Sequence, residues 1–201
     1  MLIVVPVEGH LDVQPLDKKM KFVQEPIAFN DDDLEGTIQP HDDALVVTAR
    51  ISGFLVKRVM VDQGSGADVM YLVLFRGLGL RKEDLMKHTS TLVGYDGKVV
   101  IPEGQISLPV GQISIPVIMG GKEVAVTFTI VSSFSPYTTI PGRPWIHSMG
   151  AVLSTLHVKI KFPTEQGVAV IKGDQQAAKQ CLTAVVNWKR GNQVNQGEKT
   201  G

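Results

Sequence analysis

One acidic residue, Asp62, stands in a turn whose residue types suit acid–base chemistry. An apolar β-branched run leads into it, and Gln63, Gly64, Ser65 and Gly66 follow. The glycines allow positive φ or close approach of another chain, and the serine can hydrogen-bond the turn. A carboxylate presented on such a turn can move protons during peptide hydrolysis. The same pattern also describes an ordinary hairpin turn with a solvated aspartate, because short glycine-rich turns are common.

The charge balance argues against a nucleic-acid partner. The 201 residues carry 20 Lys and Arg against 20 Asp and Glu, whereas phosphate binding requires a clustered basic face. Hydrophobic residues make up 43% and charged residues 20%, which is typical of a globular chain. This length predicts one domain with tails, or two small domains at most.

Few residues suit a metal site, a disulfide or a membrane span. Cys181 is the single cysteine, which excludes an intrachain disulfide and a Cys-based zinc site. The acidic stretch 30–36 lacks the ligand spacing of a calcium loop, so we expect a capped, solvated turn and no metal or other cofactor. The apolar start, residues 1–7, is too short for a span and poor as a signal peptide, which favours an intracellular, cytoplasmic protein without a membrane partner.

The elements that must position Asp62 are mostly strands. Runs rich in β-branched residues predict strands at 44–51 and 54–61, on the two sides of a Ser-Gly turn. After Asp62 the pattern favours a helix over 67–75, a helical turn at 81–87, and a hairpin around the Asp-Gly turn within 91–101. Further strands are predicted at 104–110, 113–119, 124–132, 151–163 and 168–172.

A seven-residue segment is repeated in this region. Residues 104–110 read GQISLPV and residues 111–117 read GQISIPV. Because seven is odd, a directly continued strand would turn its apolar residues to the wrong face. We therefore predict that the extra copy loops out or forms its own hairpin, with its prolines at a sheet edge.

A second motif lies at 139–150. It predicts a strand, a turn at Gly142 and a short helix that Pro144 opens and Gly150 closes. Residues 174–181 are compatible with a helix, and the polar, Gly-rich stretch 187–201 is typical of a frayed tail.

Together, the Asp62 turn and the Ile-Pro-Gly-Arg segment at 140–143 resemble the retropepsin family of aspartic proteases. The wider sequence is similar to the protease region of plant gypsy-type retrotransposon polyproteins. Segments that share this similarity are 31–36, 41–46, 92–97, 135–138, 154–157, 161–164 and 173–175. The resemblance covers about residues 26–185 and implies a mostly β, half-pepsin barrel with one or two short helices. It divides the chain into a partly ordered extension (1–40), a retropepsin-like domain (41–185) and a disordered polar tail (186–201).

The resemblance also implies a mechanism. A retropepsin subunit contributes one Asp, so Asp62 would meet its counterpart on the axis of a homodimer. One carboxyl would act as base on water and the other as acid toward the peptide carbonyl of an extended substrate. Cleavage of a retroelement polyprotein is the implied activity, and a flap at Gly94, Tyr95, Asp96 and Gly97 would close over the substrate.

Other residues receive supporting roles. Gln63, Gly64, Ser65 and Gly66 would support the catalytic turn, with Gly64 permitting close approach and Ser65 bonding near the carboxylate.

Behind the turn, the resemblance implies that Gly142 and Arg143 brace it. We expect Arg143 to be a buried ion-pair anchor and Trp145 to be a core residue. His147 and His157 lack partners at ligand spacing, so each is expected on the surface or as a satisfied core residue.

Three departures from the family pattern leave a second interpretation open. Gln63 replaces the usual Thr or Ser, Pro141 replaces an aliphatic residue, and the repeat has no counterpart in the family. The alternative is a catalytically inactive retropepsin-like module that dimerises or binds peptides. A small β-barrel that binds nucleic acid is disfavoured, because aromatics are only 6% and the charge is balanced.

Overall fold

The structure, a computed structural model, describes residues 26–86 and 109–197. The strands in these residues are β1 Val46–Ile51, β2 Phe54–Met60, β3 Asp68–Tyr71, β4 Pro109–Met119, β5 Lys122–Val131, β6 Thr139–Ile140, β7 Val152–Ser154, β8 Lys159–Thr164 and β9 Gly167–Lys172. The α-helices are α1 Leu72–Gly77, α2 Arg143–Met149 and α3 Gln175–Gly197. Short 3-10 helices occur at Asp31–Leu34 and Lys82–Asp84.

Six strands close into a barrel in the order β1-β2-β6-β3-β5-β4, with β4 pairing back onto β1. The mostly β fold class predicted from the sequence is confirmed. The β1–β2 hairpin turns at Ser52 and Gly53, whose φ angles of 48° and 82° are both positive, as the tightest hairpin turns require.

The barrel interior follows the strand alternation. Along β4, Ile113, Ile115 and Val117 are buried while Ser114 and Pro116 are exposed. Phe128 on β5 has no exposed surface. Each such burial contributes about 1.5–3 kcal/mol, so the alternation holds the register of the barrel.

A second sheet, in the order β7-β8-β9, packs Ile160 and Phe162 into the same core. Its other face carries Lys161, whose ammonium donates to the Ala28 carbonyl at 2.8 Å and to the Asp33 carboxylate at 2.7 Å. The Thr37 hydroxyl donates to the His157 carbonyl at 3.1 Å. These contacts fasten residues 28–37 to β8 and to the turn before it.

The predicted helix at 67–75 is wrong in its first half. Asp68–Tyr71 forms β3, which pairs in parallel with β5 from Asp68 opposite Phe128 to Tyr71 opposite Val131. The hydrogen bonds and packing of β3 against β5 stabilise the strand more than the local sequence favours a helix, so α1 begins only at Leu72.

The second copy of the repeat, residues 111–117, does not loop out. It lies within β4 and pairs with β5 along its length. The register shifts by one residue between Pro109 and Gly111, and this bulge absorbs the odd residue so that the alternation of β4 is kept. The first copy up to residue 108 lies outside the described residues.

Pro116 is also not at a free edge, because β4 lies between β5 and β1 in the closed barrel. Its carbonyl accepts the Ser52 N–H at 3.2 Å, and ladder pairing with β1 covers only Val117 and Ile118. The missing N–H of proline therefore interrupts no ladder bond with β1.

The C-terminal helix is longer than the sequence pattern indicates. α3 runs to Gly197, so the prediction of a disordered tail from residue 186 is wrong for 186–197. Asp174 caps the helix by accepting the Ala177 N–H at 2.9 Å, and the Ala, Gln and Lys residues that follow favour helix. The helix crosses the predicted boundary at 185, while the division of the chain before that point stays a prediction.

Candidate active site

Asp62 follows the end of β2 and is held through both its backbone and its side chain. Its N–H donates to the Pro141 carbonyl at 3.0 Å, and its carbonyl accepts the Ser65 N–H at 3.2 Å. The carboxylate is half-buried, and Oδ1 accepts the Gly64 N–H at 2.8 Å. One carboxylate oxygen is therefore fixed by the turn itself.

The residues of the turn support Asp62 in different ways. A Cβ at Gly64 would lie 3.1 Å from Asp62 Oδ1, so glycine leaves room for this carboxylate position. The Ser65 hydroxyl donates to the Ala67 carbonyl at 2.6 Å and thereby braces the turn from within. Gln63 and Gly66 are exposed. The turn thus presents an exposed rim with a fixed carboxylate beside it.

Gly142 lies directly behind this turn. A Cβ there would come within 2.5 Å of the Ala67 oxygen and 2.7 Å of the Ser65 oxygen, so a side chain does not fit without movement of the backbone. The next residue, Arg143, donates its N–H to the Ser65 carbonyl at 2.9 Å. The structure brings the two sequence motifs together, and their contact is made by backbone.

The prediction that Arg143 is a buried ion-pair anchor is wrong. Its side chain is exposed, and within the described residues no carboxylate lies at salt-bridge distance from it. Arg143 begins the short helix α2, and its guanidinium lies beside Gly66, where an added Cβ would be 3.0 Å from Nη2. Since the bracing contact uses the backbone N–H, the arginine side chain is free to point outward.

A second carboxylate, Asp68, was missed by the sequence reasoning. It is 3% exposed, and its Oδ1 accepts the N–H of Gly142 at 2.6 Å and the N–H of Trp145 at 3.3 Å. Burial raises the pKa of Asp68, and the two backbone N–H groups oppose that rise. An acidic residue at the head of a strongly apolar strand was the signal that could have found it.

The remaining candidates are structural. Trp145 is a core residue, 1% exposed, as expected. His147 is exposed, and His157 is buried with Nδ1 2.6 Å from the Ser154 hydroxyl and its ring stacked on Phe29. Both histidines match the prediction of surface or satisfied core positions.

Three further predictions concern the flap, metals and membranes. The flap residues Gly94, Tyr95, Asp96 and Gly97 lie outside the described residues, so their role stays a prediction. Among residues 26–86 and 109–197, no three His, Cys, Asp or Glu side chains are grouped closely enough to hold a metal ion. No helix in the described part of the chain is both long enough and apolar enough to cross a membrane.

Comparison with solved structures finds retropepsin-like proteins. The chain is similar to the retroviral protease-like domain of Ddi1 from Leishmania major, with 16% identity and a TM-score of 0.48 over 65% of this chain and 93% of that chain. A retropepsin-like aspartic protease from Rickettsia conorii gives 15% identity and a TM-score of 0.42, covering 63% of this chain and 80% of its own. The EIAV protease in complex with an inhibitor gives 18% identity and a TM-score of 0.40, covering 58% of this chain and 98% of its own.

Two comparisons of the sequence find no match. No family model matches the chain, and no curated protein matches it significantly.

Proposed function

We propose that this chain is an aspartic endopeptidase of the retropepsin type, active as a homodimer in which each subunit contributes one Asp62. The observation that carries the proposal is the half-buried carboxylate on an exposed turn, with Oδ1 fixed by the Gly64 N–H at 2.8 Å. A catalytic carboxylate needs a fixed orientation toward its substrate, and this hydrogen bond supplies one. The Gly142 backbone behind the turn supports the same conclusion, because it prevents the turn from relaxing inward.

The chemistry requires a second carboxyl, which the dimer supplies. Two neighbouring carboxyl groups cannot both ionise cheaply, so the pair shares a proton and titrates as a unit. The ionised member removes a proton from a bound water, and the protonated member donates to the carbonyl oxygen of the peptide. The exposed positions of Gln63 and Gly64 leave this rim accessible to a second copy.

The substrate proposed is an extended peptide, and specifically a junction in a retroelement polyprotein. An extended chain can bind by adding a strand beside the Asp62 rim, which gives backbone hydrogen bonds largely independent of sequence. The polyprotein assignment rests on the sequence resemblance to plant gypsy-type elements.

The test is cleavage of a peptide library at about pH 5 and below, because the mechanism requires one protonated and one ionised carboxyl. We expect pepstatin-sensitive cleavage that is lost in Asp62→Asn. Asp32→Asn is the matched control, because Asp32 is an exposed aspartate outside the turn and undergoes the same charge change. Absence of cleavage by a verified dimer would instead favour the inactive module, for which the replacement of the family hydroxyl by Gln63 is the motivating observation.

The two-subunit mechanism has a separate test. Wild-type and Asp62→Asn chains are unfolded together, refolded at constant total concentration, and assayed. If both carboxyls are required, an equal mixture retains about a quarter of the wild-type rate, since only dimers of two intact subunits work. A mixture that retains about half of the rate would show that each subunit works alone.

A further inference from the structure

The buried carboxylate of Asp68 lies between the catalytic turn and α2 and accepts a hydrogen bond from each of two backbone N–H groups of the second motif. Gly142 N–H is 2.6 Å from Oδ1, and Trp145 N–H is 3.3 Å from the same oxygen. Asp68 is also the first residue of β3, whose pairing with β5 fixes its backbone. The side chain therefore ties α2 to a strand that cannot easily move.

The geometry points to Asp68 as a positioning residue for the proposed peptidase: its carboxylate holds Gly142 against the catalytic turn and thereby fixes Asp62. This inference rests on the proposed function for its kinetic consequence, while the positioning itself can be measured without any activity.

Three contacts connect Asp68 to Asp62 through Gly142 and its neighbours. The Gly142 position where a Cβ would stand is 2.5 Å from the Ala67 oxygen, so this glycine lies tightly against the turn. The Arg143 N–H holds the Ser65 carbonyl at 2.9 Å, and the Pro141 carbonyl accepts the Asp62 N–H at 3.0 Å. Residues 141–143 thus contact the turn at both of its ends, and the Asp68 side chain fixes the middle residue of the three.

A buried carboxylate is costly unless hydrogen bonds or a counter-ion compensate for its lost hydration. Asp68 is 3% exposed, and within the described residues no basic side chain forms a salt bridge with it. Buried carboxylates without a counter-ion are uncommon, and here the only partners recorded in the described part are the two backbone N–H groups. Burial raises the pKa of Asp68, and the two backbone N–H groups oppose that rise by stabilising the ionised form.

The experiment compares Asp68→Ala, Asp68→Asn and Asp174→Ala with the full-length wild-type chain. Asp174 is a matched control, because it also accepts a backbone N–H at the start of a helix, Ala177 N–H at 2.9 Å, but does so at α3. Asp68→Asn keeps an oxygen in place for both donors and provides a folded variant in case Asp68→Ala fails to fold.

The first readout needs no activity. Hydrogen exchange at the Gly142 amide and the pH titration of the Asp62 carboxyl carbon by NMR are followed in each variant. We expect Asp68→Ala to speed exchange at Gly142 at least about tenfold and to shift the Asp62 titration, while Asp68→Asn and Asp174→Ala leave both close to wild type. If Asp68→Ala does not fold, Asp68→Asn provides the test instead. The proposal is overturned if Asp68→Asn, which retains the accepting oxygen, loses the slow exchange at Gly142 and the wild-type titration of Asp62.

The second readout is kinetic. We expect Asp68→Ala to lower kcat about tenfold or more with KM changed by less than about twofold, because a displaced Asp62 affects the chemical step more than substrate binding. Unchanged exchange and an unchanged Asp62 titration in folded Asp68→Ala would overturn the positioning role. Absence of Asp62-dependent cleavage by the wild type would overturn the peptidase assignment instead, so the two failures are distinguishable.

Discussion

Replacing Gly142 with alanine is the sharpest single perturbation of this site. The new Cβ would lie 2.5 Å from the Ala67 oxygen and 2.7 Å from the Ser65 oxygen, which falls short of ordinary 3.4 Å contact by 0.9 and 0.7 Å. Both obstacles are backbone atoms of the Asp62 turn, so the turn itself must move. Overpacking of this kind costs about 1–3 kcal/mol of folding free energy. A displacement approaching 1 Å at a catalytic group can lower kcat by about a hundredfold.

The assay measures urea unfolding and peptide cleavage on the same preparations. Gly77→Ala is the matched control, because no atom lies within 4 Å of its added Cβ and its φ is not positive. We expect the control to keep the wild-type rate and at least the wild-type stability, and Gly142→Ala to lose both in the ranges above. If Gly142→Ala instead keeps its unfolding free energy within about 0.5 kcal/mol and its rate within about twofold, the close packing behind Asp62 is refuted.

Three further predictions test other parts of the chain. Gly191→Ala, in α3 with no atom near its added Cβ, should stabilise the protein by up to about 1 kcal/mol in urea unfolding, and a loss of stability would contradict the helix. The hydrogen bonds from Lys161 and from the Asn30 N–H lower the pKa of Asp33 below its ordinary value of 3.8. The ionised Asp33 side chain therefore stabilises the fold fully above pH 3.8, and this stabilisation is lost as the pH falls through the lowered pKa of the folded protein. Asp33→Asn should therefore flatten the acid side of a plot of Tm against pH, and an unchanged plot would argue against the ion pair. Burial raises the pKa of Cys181, so its reaction with DTNB should be slow until urea unfolds the chain, whereas fast labelling of the folded protein would show that the thiol is accessible.

Much of the barrel could be predicted because its strands carry a local signal. β1 and β2 follow alternating β-branched runs that flank a Ser-Gly turn, and both strands end within two residues of the prediction. β3 could not be predicted in the same way. Its short apolar sequence is equally compatible with a helix, and only the parallel ladder with β5, about 60 residues away, decides the outcome.

In the candidate site too, the backbone position could be predicted from a motif, whereas the directions of the side chains could not. Gly142 was predicted as a brace from its motif, and the structure places it against the turn. The roles of its neighbours depend on which way a side chain points, which the sequence does not specify. Arg143 points outward at the start of α2, while Asp68 points inward to the same backbone that Arg143 was expected to support. The motif therefore located a backbone segment that contacts the turn, and the charged side chain that bonds this segment is Asp68 rather than Arg143.

The Asp62 turn depends on backbone groups supplied much later in the chain. The Asp68 bond to Gly142 spans 74 residues and the bond to Trp145 spans 77. At a translation rate of about 5–20 residues per second, the ribosome takes roughly 4–15 s to make that intervening stretch. A nascent chain during this interval carries its acidic residue without the segment that orients it. The turn therefore gains its full backbone support only after synthesis has passed Trp145.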